Sequence, residues 1–88
     1  MPVVKLFATF RQAGGAKSVG VQGGTVGDAL QDLCRQRPAL REKLFADDAV
    51  RPLVLISLNG RHIEHINGLD TPLQEEDEIA LFPPLGGG

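Results

Sequence analysis

The chain has no Trp, no Tyr and a single cysteine, Cys34, among 88 residues. One thiol cannot build a disulfide framework, a thiolate zinc site or an iron–sulfur cluster. Without Trp and Tyr, any stacking platform for nucleic-acid bases would rest on four Phe residues. Basic residues are not in excess: nine Lys and Arg stand against eleven Asp and Glu, for a formal charge of −2. That balance, with no cluster of Lys or Arg in the sequence, argues against a nucleic-acid partner. Long apolar runs are also missing. The densest stretch, Pro52–Leu58, falls far short of the ~20 residues that span a bilayer, so no membrane partner is expected. The first residues carry only Lys5 and no signal-peptide core, and a cytoplasmic location is the expectation.

What remains is the composition of one soluble globular domain, 42% hydrophobic and 23% charged. Val3–Phe10 alternates, with Val4, Leu6, Ala8 and Phe10 on one face, and predicts a strand. Arg11–Ala16, with Gly14-Gly15, reads as a turn, and Lys17–Gln22 as a second strand in a hairpin with the first. Thr25 stands three residues before Asp28, a near-match to a capping box. Val26, Ala29, Leu30, Leu33 and Cys34 then follow at helical spacing, and Pro38 predicts an end near Arg37. Ala39–Phe45 adds a short turn with Leu40, Leu44 and Phe45 over the core. Pro52–Leu58 predicts a strand, Asn59-Gly60 a tight hairpin turn, and Arg61–Ile66 a return strand. Asn67–Thr71 reads as a loop. Glu78–Phe82 predicts the last strand, stopped by Pro83-Pro84.

One helix among four or five strands is an α+β pattern with the helix on one sheet face. The compact arrangement is a β-grasp, with the first and last strands side by side in a mixed sheet. Residues 1–84 would form the domain and 85–88 a flexible glycine tail.

A conventional catalytic set is absent from the pattern. Ser18 and Ser57 have no base near them in sequence, and neither lies in a nucleophile elbow. Gly14-Gly15 and Gly23-Gly24 lack the continuation of a phosphate loop. His62 and His65, on a strand and a loop, are expected to point in different directions, leaving no metal site. Cys34 falls on the apolar face of its helix, where a small buried residue fits. Glu75-Glu76-Asp77-Glu78 reads as a solvated loop.

The anomaly is the C-terminus. Gly86-Gly87-Gly88 follows a strand and two prolines. Glycine is costly to order and offers no side chain to a core. A chain end without side chains can enter a narrow cleft of another enzyme and present its carboxylate there. Pro83-Pro84 would hold the base of such an arm extended.

In these features the chain resembles the ubiquitin-like sulfur carriers of the MoaD/ThiS family, most of all the small subunit of molybdopterin synthase. The likeness spans nearly the whole chain. It is carried by Lys5-Leu6-Phe7-Ala8-Thr9-Phe10-Arg11, the helix opened by Thr25-Val26, Leu58-Asn59-Gly60-Arg61, Gly68-Leu69-Asp70-Thr71-Pro72-Leu73, and Asp77-Glu78-Ile79-Ala80-Leu81-Phe82-Pro83-Pro84 leading to Gly87-Gly88. Gly86 stands where the family often has Ala or Ser, with the spacing from the prolines kept.

The resemblance implies that an E1-like enzyme adenylates the Gly88 carboxylate and that a sulfur donor converts it to a thiocarboxylate. A second partner, such as the large subunit of molybdopterin synthase, would then receive the sulfur. It implies that Gly87 gives passage into the partner, and that Phe82, Pro83, Pro84, Leu85 and Gly86 contact it. ATP and Mg would belong to the activating partner, with no cofactor bound by this chain and no catalysis by the chain alone. Thiamine, cysteine or tRNA thiolation, and conjugation of Gly88 to lysines as a protein modifier, are the alternative uses of the same tail.

Overall fold

The computed structural model describes residues 1–84. Leu85, Gly86, Gly87 and Gly88, on which the expected flexible tail falls, lie outside the described residues. Five strands form one sheet: β1 (Val3–Leu6), β2 (Ser18–Gly20), β5 (Leu55–Leu58), β6 (Arg61–His62) and β7 (Glu78–Phe82). Their order is β2-β1-β7-β5-β6. β1 and β7 run parallel, with Val4 opposite Ile79 and Leu6 opposite Leu81. The other pairings are antiparallel. This is the expected mixed β-grasp sheet, with the first and last strands adjacent at its centre.

Helix α2 (Val26–Gln36) supplies the second layer. Thr25 caps it, its hydroxyl accepting the Asp28 N–H at 3.1 Å and so satisfying one of the unpaired donors of the first turn. Val26, Ala29, Leu30, Leu33 and Cys34 are all buried and share one core with Val4, Leu6, Ile56, Ile79 and Leu81. Asp32 ties the helix to the strand side of the fold. Its carboxylate accepts the Gln22 N–H at 3.0 Å and the Gln36 amide at 2.9 Å, and pairs with Arg35. These bonds, that from Gln22 foremost, hold its carboxyl below the usual range.

The first expected strand is corrected. β1 ends at Leu6, and Thr9–Gly14 forms helix α1 where the pattern predicts strand and then turn. The break is a tight turn in which Phe10 N–H donates to the Phe7 carbonyl at 3.1 Å. Ala8 occupies it at φ 51°, ψ −124°, a region that glycine adopts freely and alanine does not. Helix α1 buries Phe10. Gly14-Gly15 ends this helix. A Cβ on Gly14 would lie 2.7 Å from a Leu6 methyl, and Gly15 takes the left-handed cap conformation at φ 70°. β1 and β2 still pair antiparallel, joined through a helix and not by a simple hairpin.

Further on, a 3-10 turn (Pro38–Leu40) leads into α3 (Arg41–Leu44). A short ribbon of β3 (Phe45–Ala46) and β4 (Ala49–Val50) follows, which the sequence pattern does not show. Asn59 and Gly60 both have positive φ, 51° and 86°, as the predicted hairpin turn requires. The return strand is shorter than expected. β6 covers two residues, and Ile63–His65 coils into a 3-10 turn that buries Ile63.

Candidate functional site

The strand that carries the C-terminus is the best-held strand in the sheet. β7 is bonded to β1 on one side and β5 on the other. Its start is fixed by a polar knot at the β5–β6 turn. The Asn59 side chain accepts the Glu78 N–H at 2.9 Å and donates to Asp77 at 3.0 Å, while Asp77 also accepts the Gln74 N–H at 2.7 Å. The bond from Gln74 is the main reason the Asp77 carboxyl sits below its usual range. So part of the acidic stretch is structural, with Glu75 and Glu76 exposed in the loop.

Alternation along β7 turns Ile79 and Leu81 into the core and Phe82 outward at its end. On the next strand, Phe7 follows Leu6 and takes the same outward direction. Their rings stack with centroids 4.8 Å apart and planes 9° from parallel. Phe82 stays 37% exposed, and its neighbour across β5, Leu55, is 48% exposed. Leu53 is more exposed still. The strand end is thus an apolar, wet surface, where a buried sheet would be expected to hide such groups. Arg11 closes one side. Its guanidinium lies 5.7 Å from the Phe7 ring centroid, and its Nε donates to the Leu6 carbonyl at 3.1 Å.

Pro83 and Pro84 are half-buried. They line a groove of about 240 Å³ with Thr9, Phe10, Glu42, Lys43 and Arg51. Arg51 braces its wall, donating from Nε to the Glu42 carbonyl at 2.7 Å. The structure therefore brings together Phe82, Pro83 and Pro84 from the predicted site. Leu85, Gly86, Gly87 and Gly88 lie outside the described residues.

Sequence reasoning missed Phe7, Arg11, Leu55, Lys43 and Arg51. Phe7 was visible as an outlier on the polar face of its strand, beside Lys5. The others are assembled by tertiary contacts that no local pattern displays.

The remaining candidates divide clearly. Cys34 is buried, as expected, and burial pushes its thiol up against the weaker opposing pull of Arg41. It is a residue of the core. The His62 and His65 rings meet edge-on with centroids 6.2 Å apart, the chain coiling into a 3-10 turn directly after His62. Among the described residues no group of three metal-capable side chains forms. None of the described helices is long and apolar enough to cross a membrane.

The sequence profile of the ThiS family matches residues 4–88. The chain is 38% identical over 88 residues to small archaeal modifier protein 3 of Haloferax volcanii, covering 97% of this chain and 96% of that protein. It is 30% identical over 78 residues to the sulfur carrier protein CysO of Mycobacterium tuberculosis, covering 85% of this chain and 84% of the other. The solution structure of small archaeal modifier protein 1 from Methanosarcina acetivorans superposes with a TM-score of 0.90 at 35% identity, over 99% of this chain and 95% of that one. By profile, sequence and fold, this chain belongs to the ThiS/MoaD family of ubiquitin-like sulfur carriers and modifiers.

Proposed function

We propose that this protein carries sulfur on its C-terminal carboxylate, and that its acceptor is the large subunit of molybdopterin synthase. A carboxylate is a poor electrophile. In this reading an E1-like partner, using ATP and Mg of its own, joins the Gly88 carboxylate oxygen to the α-phosphorus of ATP and releases pyrophosphate. A sulfur donor of the persulfide class then attacks the Gly88 carbonyl carbon and AMP leaves. A second thiol then attacks the donor-side sulfur, forming a disulfide with the donor and releasing the Gly88 thiocarboxylate, whose sulfur is the nucleophile delivered to the acceptor.

This chain's own contribution is positional. β7 fixes where the tail starts. Phe7, Phe82 and Leu55 offer apolar surface for docking, and Gly87 keeps the approach to Gly88 free of side chains. The observation that carries the reading is the Phe7–Phe82 stack at the end of the central strand, with Phe7 half-buried and Phe82 37% exposed, directly before Pro83-Pro84 and the glycines. An aromatic pair in that position contributes little to the core and suits a partner surface.

The test is intact-mass measurement after incubation with an E1-like enzyme, ATP, Mg and a sulfur source. The expected result is an oxygen-for-sulfur increase localised to Gly88. Gly87→Ala and Gly88→Ala should fold normally and lose transfer; normal transfer by both would sink the proposal. The loaded protein, mixed with the large subunit of molybdopterin synthase, should then convert precursor Z to molybdopterin.

A second reading is favoured by the 38% identity to a protein named as a modifier: Gly88 forms isopeptide bonds with lysines of target proteins. Adducts of this chain that survive denaturing gels, and vanish with a Gly88 deletion, would support it.

A further inference from the structure

We propose that the cations near Pro83 and Pro84, at the end of β7, dock against an acidic rim on the E1-like adenylating enzyme. This rests on the tail-transfer reading above and adds the chemistry of the partner's surface. The charges of the chain are sorted by the direction of β7. The strand starts beside Glu75, Glu76, Asp77 and Glu78. It ends, after five residues or ~16 Å of strand, at a groove holding Lys43 and Arg51, with Arg11 on its other side against Phe7. Lys17 lies at the same end, because its carbonyl accepts the Leu6 N–H at 2.9 Å.

The acids at this end are Glu42, which lines the groove, and Asp47 and Asp48 in the turn of the β3–β4 ribbon. None of them forms an ion pair with these cations among the described residues, and they offset part of the charge. Among the described residues the ion pairs are Lys5–Glu78 and Asp32–Arg35, so Arg11, Lys43 and Arg51 have no carboxylate within pairing distance. All three are exposed. Unpaired cations near Pro83 and Pro84, on a chain whose net charge is −2, are not explained by solubility. Counted against Glu42, Asp47 and Asp48, the cations Arg11, Lys17, Lys43 and Arg51 leave this end one positive charge in excess, opposite in sign to the molecule as a whole. A local field of that sign orients the approach with this end toward a negative surface and raises the association rate while adding little final affinity. These cations adjoin the apolar Phe7–Phe82 surface, so they would form the rim of one interface and the aromatics its centre.

Lys43→Glu is the discriminating variant, since Lys43 is exposed and makes no hydrogen bond that the fold needs; Arg51→Glu would disturb the Glu42 contact. The experiment uses the full chain and the host's own E1-like adenylating enzyme. It follows pyrophosphate release against carrier concentration at low and at high salt. Wild type should lose rate as salt rises. Lys43→Glu should be slower by on the order of tenfold at low salt and nearly equal at high salt, with Lys43→Arg restoring the rate. Arg61→Glu, at the opposite end of the sheet, should match wild type. A Lys43→Glu protein as fast as wild type at low salt overturns the docking of these cations while leaving the tail chemistry standing. Pyrophosphate release from wild type that salt leaves unchanged does the same. A wild-type chain that elicits no pyrophosphate release sinks the tail chemistry and the docking with it.

Discussion

Ala8 is the residue whose replacement by glycine should make the protein more stable. Gly usually costs about 0.5–1 kcal/mol relative to Ala, because the unfolded chain gains freedom. At Ala8 the backbone is held at φ 51°, ψ −124°, where a Cβ is strained by about 1–3 kcal/mol. The side chain is exposed, so removing its methyl loses no packing. The difference favours Ala8→Gly by about 1 kcal/mol, a rise in Tm of roughly 4–8 °C for a domain of this size. Thermal unfolding followed by circular dichroism, with urea titration as a second measure, reads the change. Ala8→Val, β-branched at the same angles, should move the midpoint the other way and further. A Tm that falls by several degrees in Ala8→Gly would refute the strain argument, and with it the account of why β1 stops at Leu6. The same variant bears on the site, because the turn fixes Phe7 against Phe82. If glycine loosens it, the gain in stability should come with slower activation by the E1-like partner.

Two further outcomes follow from the polar contacts. Thr25→Ala removes the hydroxyl that accepts the Asp28 N–H and should cost about 1 kcal/mol, measured as a lower urea midpoint with an unchanged slope. Asp32 and Asp77 both have carboxyls held below their usual range by hydrogen bonds from Gln22 and Gln74. A depressed folded value means the stabilisation is fully present above the unfolded value of about 3.9 and is lost as the pH falls through the folded one. Stability should therefore be level from neutral pH to about pH 5 and fall below about pH 4. The double variant Asp32→Asn, Asp77→Asn should be less stable at neutral pH and lose less on acidification; an acid slope as steep as that of wild type would contradict these assignments.

Where the sequence reading succeeded, local chemistry and tertiary demand agree. Thr25 is a capping residue in front of an apolar stripe, and α2 forms there. Asn59-Gly60 tolerates two positive φ angles, and the hairpin turns there. Pro83 cannot extend a ladder, and β7 ends at Phe82. The misses share a cause. The turn at Ala8 uses a residue with no turn preference, so period-2 alternation ran on through Phe10 as though a strand continued. Gly14-Gly15 marked a break correctly, but the break is a helix end: Gly14 is needed because Leu6 approaches its Cα, a demand set by tertiary packing. Leu55 lies inside the apolar run Pro52–Leu58, and only the register of β5 on β7 sets it beside Phe82 on the outer face. Arg11, beside Phe7, and Lys43 and Arg51, in the groove with Pro83 and Pro84, come from segments roughly thirty to forty residues apart, so no window of sequence contains them.

The central place of β7 follows from what a tail of this kind requires. In the proposed transfer Gly88 reacts inside a partner, and the point from which the last residues start must be reproducible for that reach to be useful. An edge strand would serve poorly, because half its backbone groups are unpaired and its end frays at low cost. A strand bonded on both sides can open only by breaking two ladders. In a chain of this order, placing the last strand at the centre needs the first strand beside it in parallel, and hence a crossover that α2 provides. The polar knot of Asn59, Asp77 and Gln74 pins the other end of β7, so the strand is held along its length as far as Phe82. In the proposed transfer, the fold's stability and the placement of the tail meet in one element. Weakening the knot by Asn59→Ala should lower stability without touching Gly88, and should slow transfer only to the extent that the base of the tail begins to move.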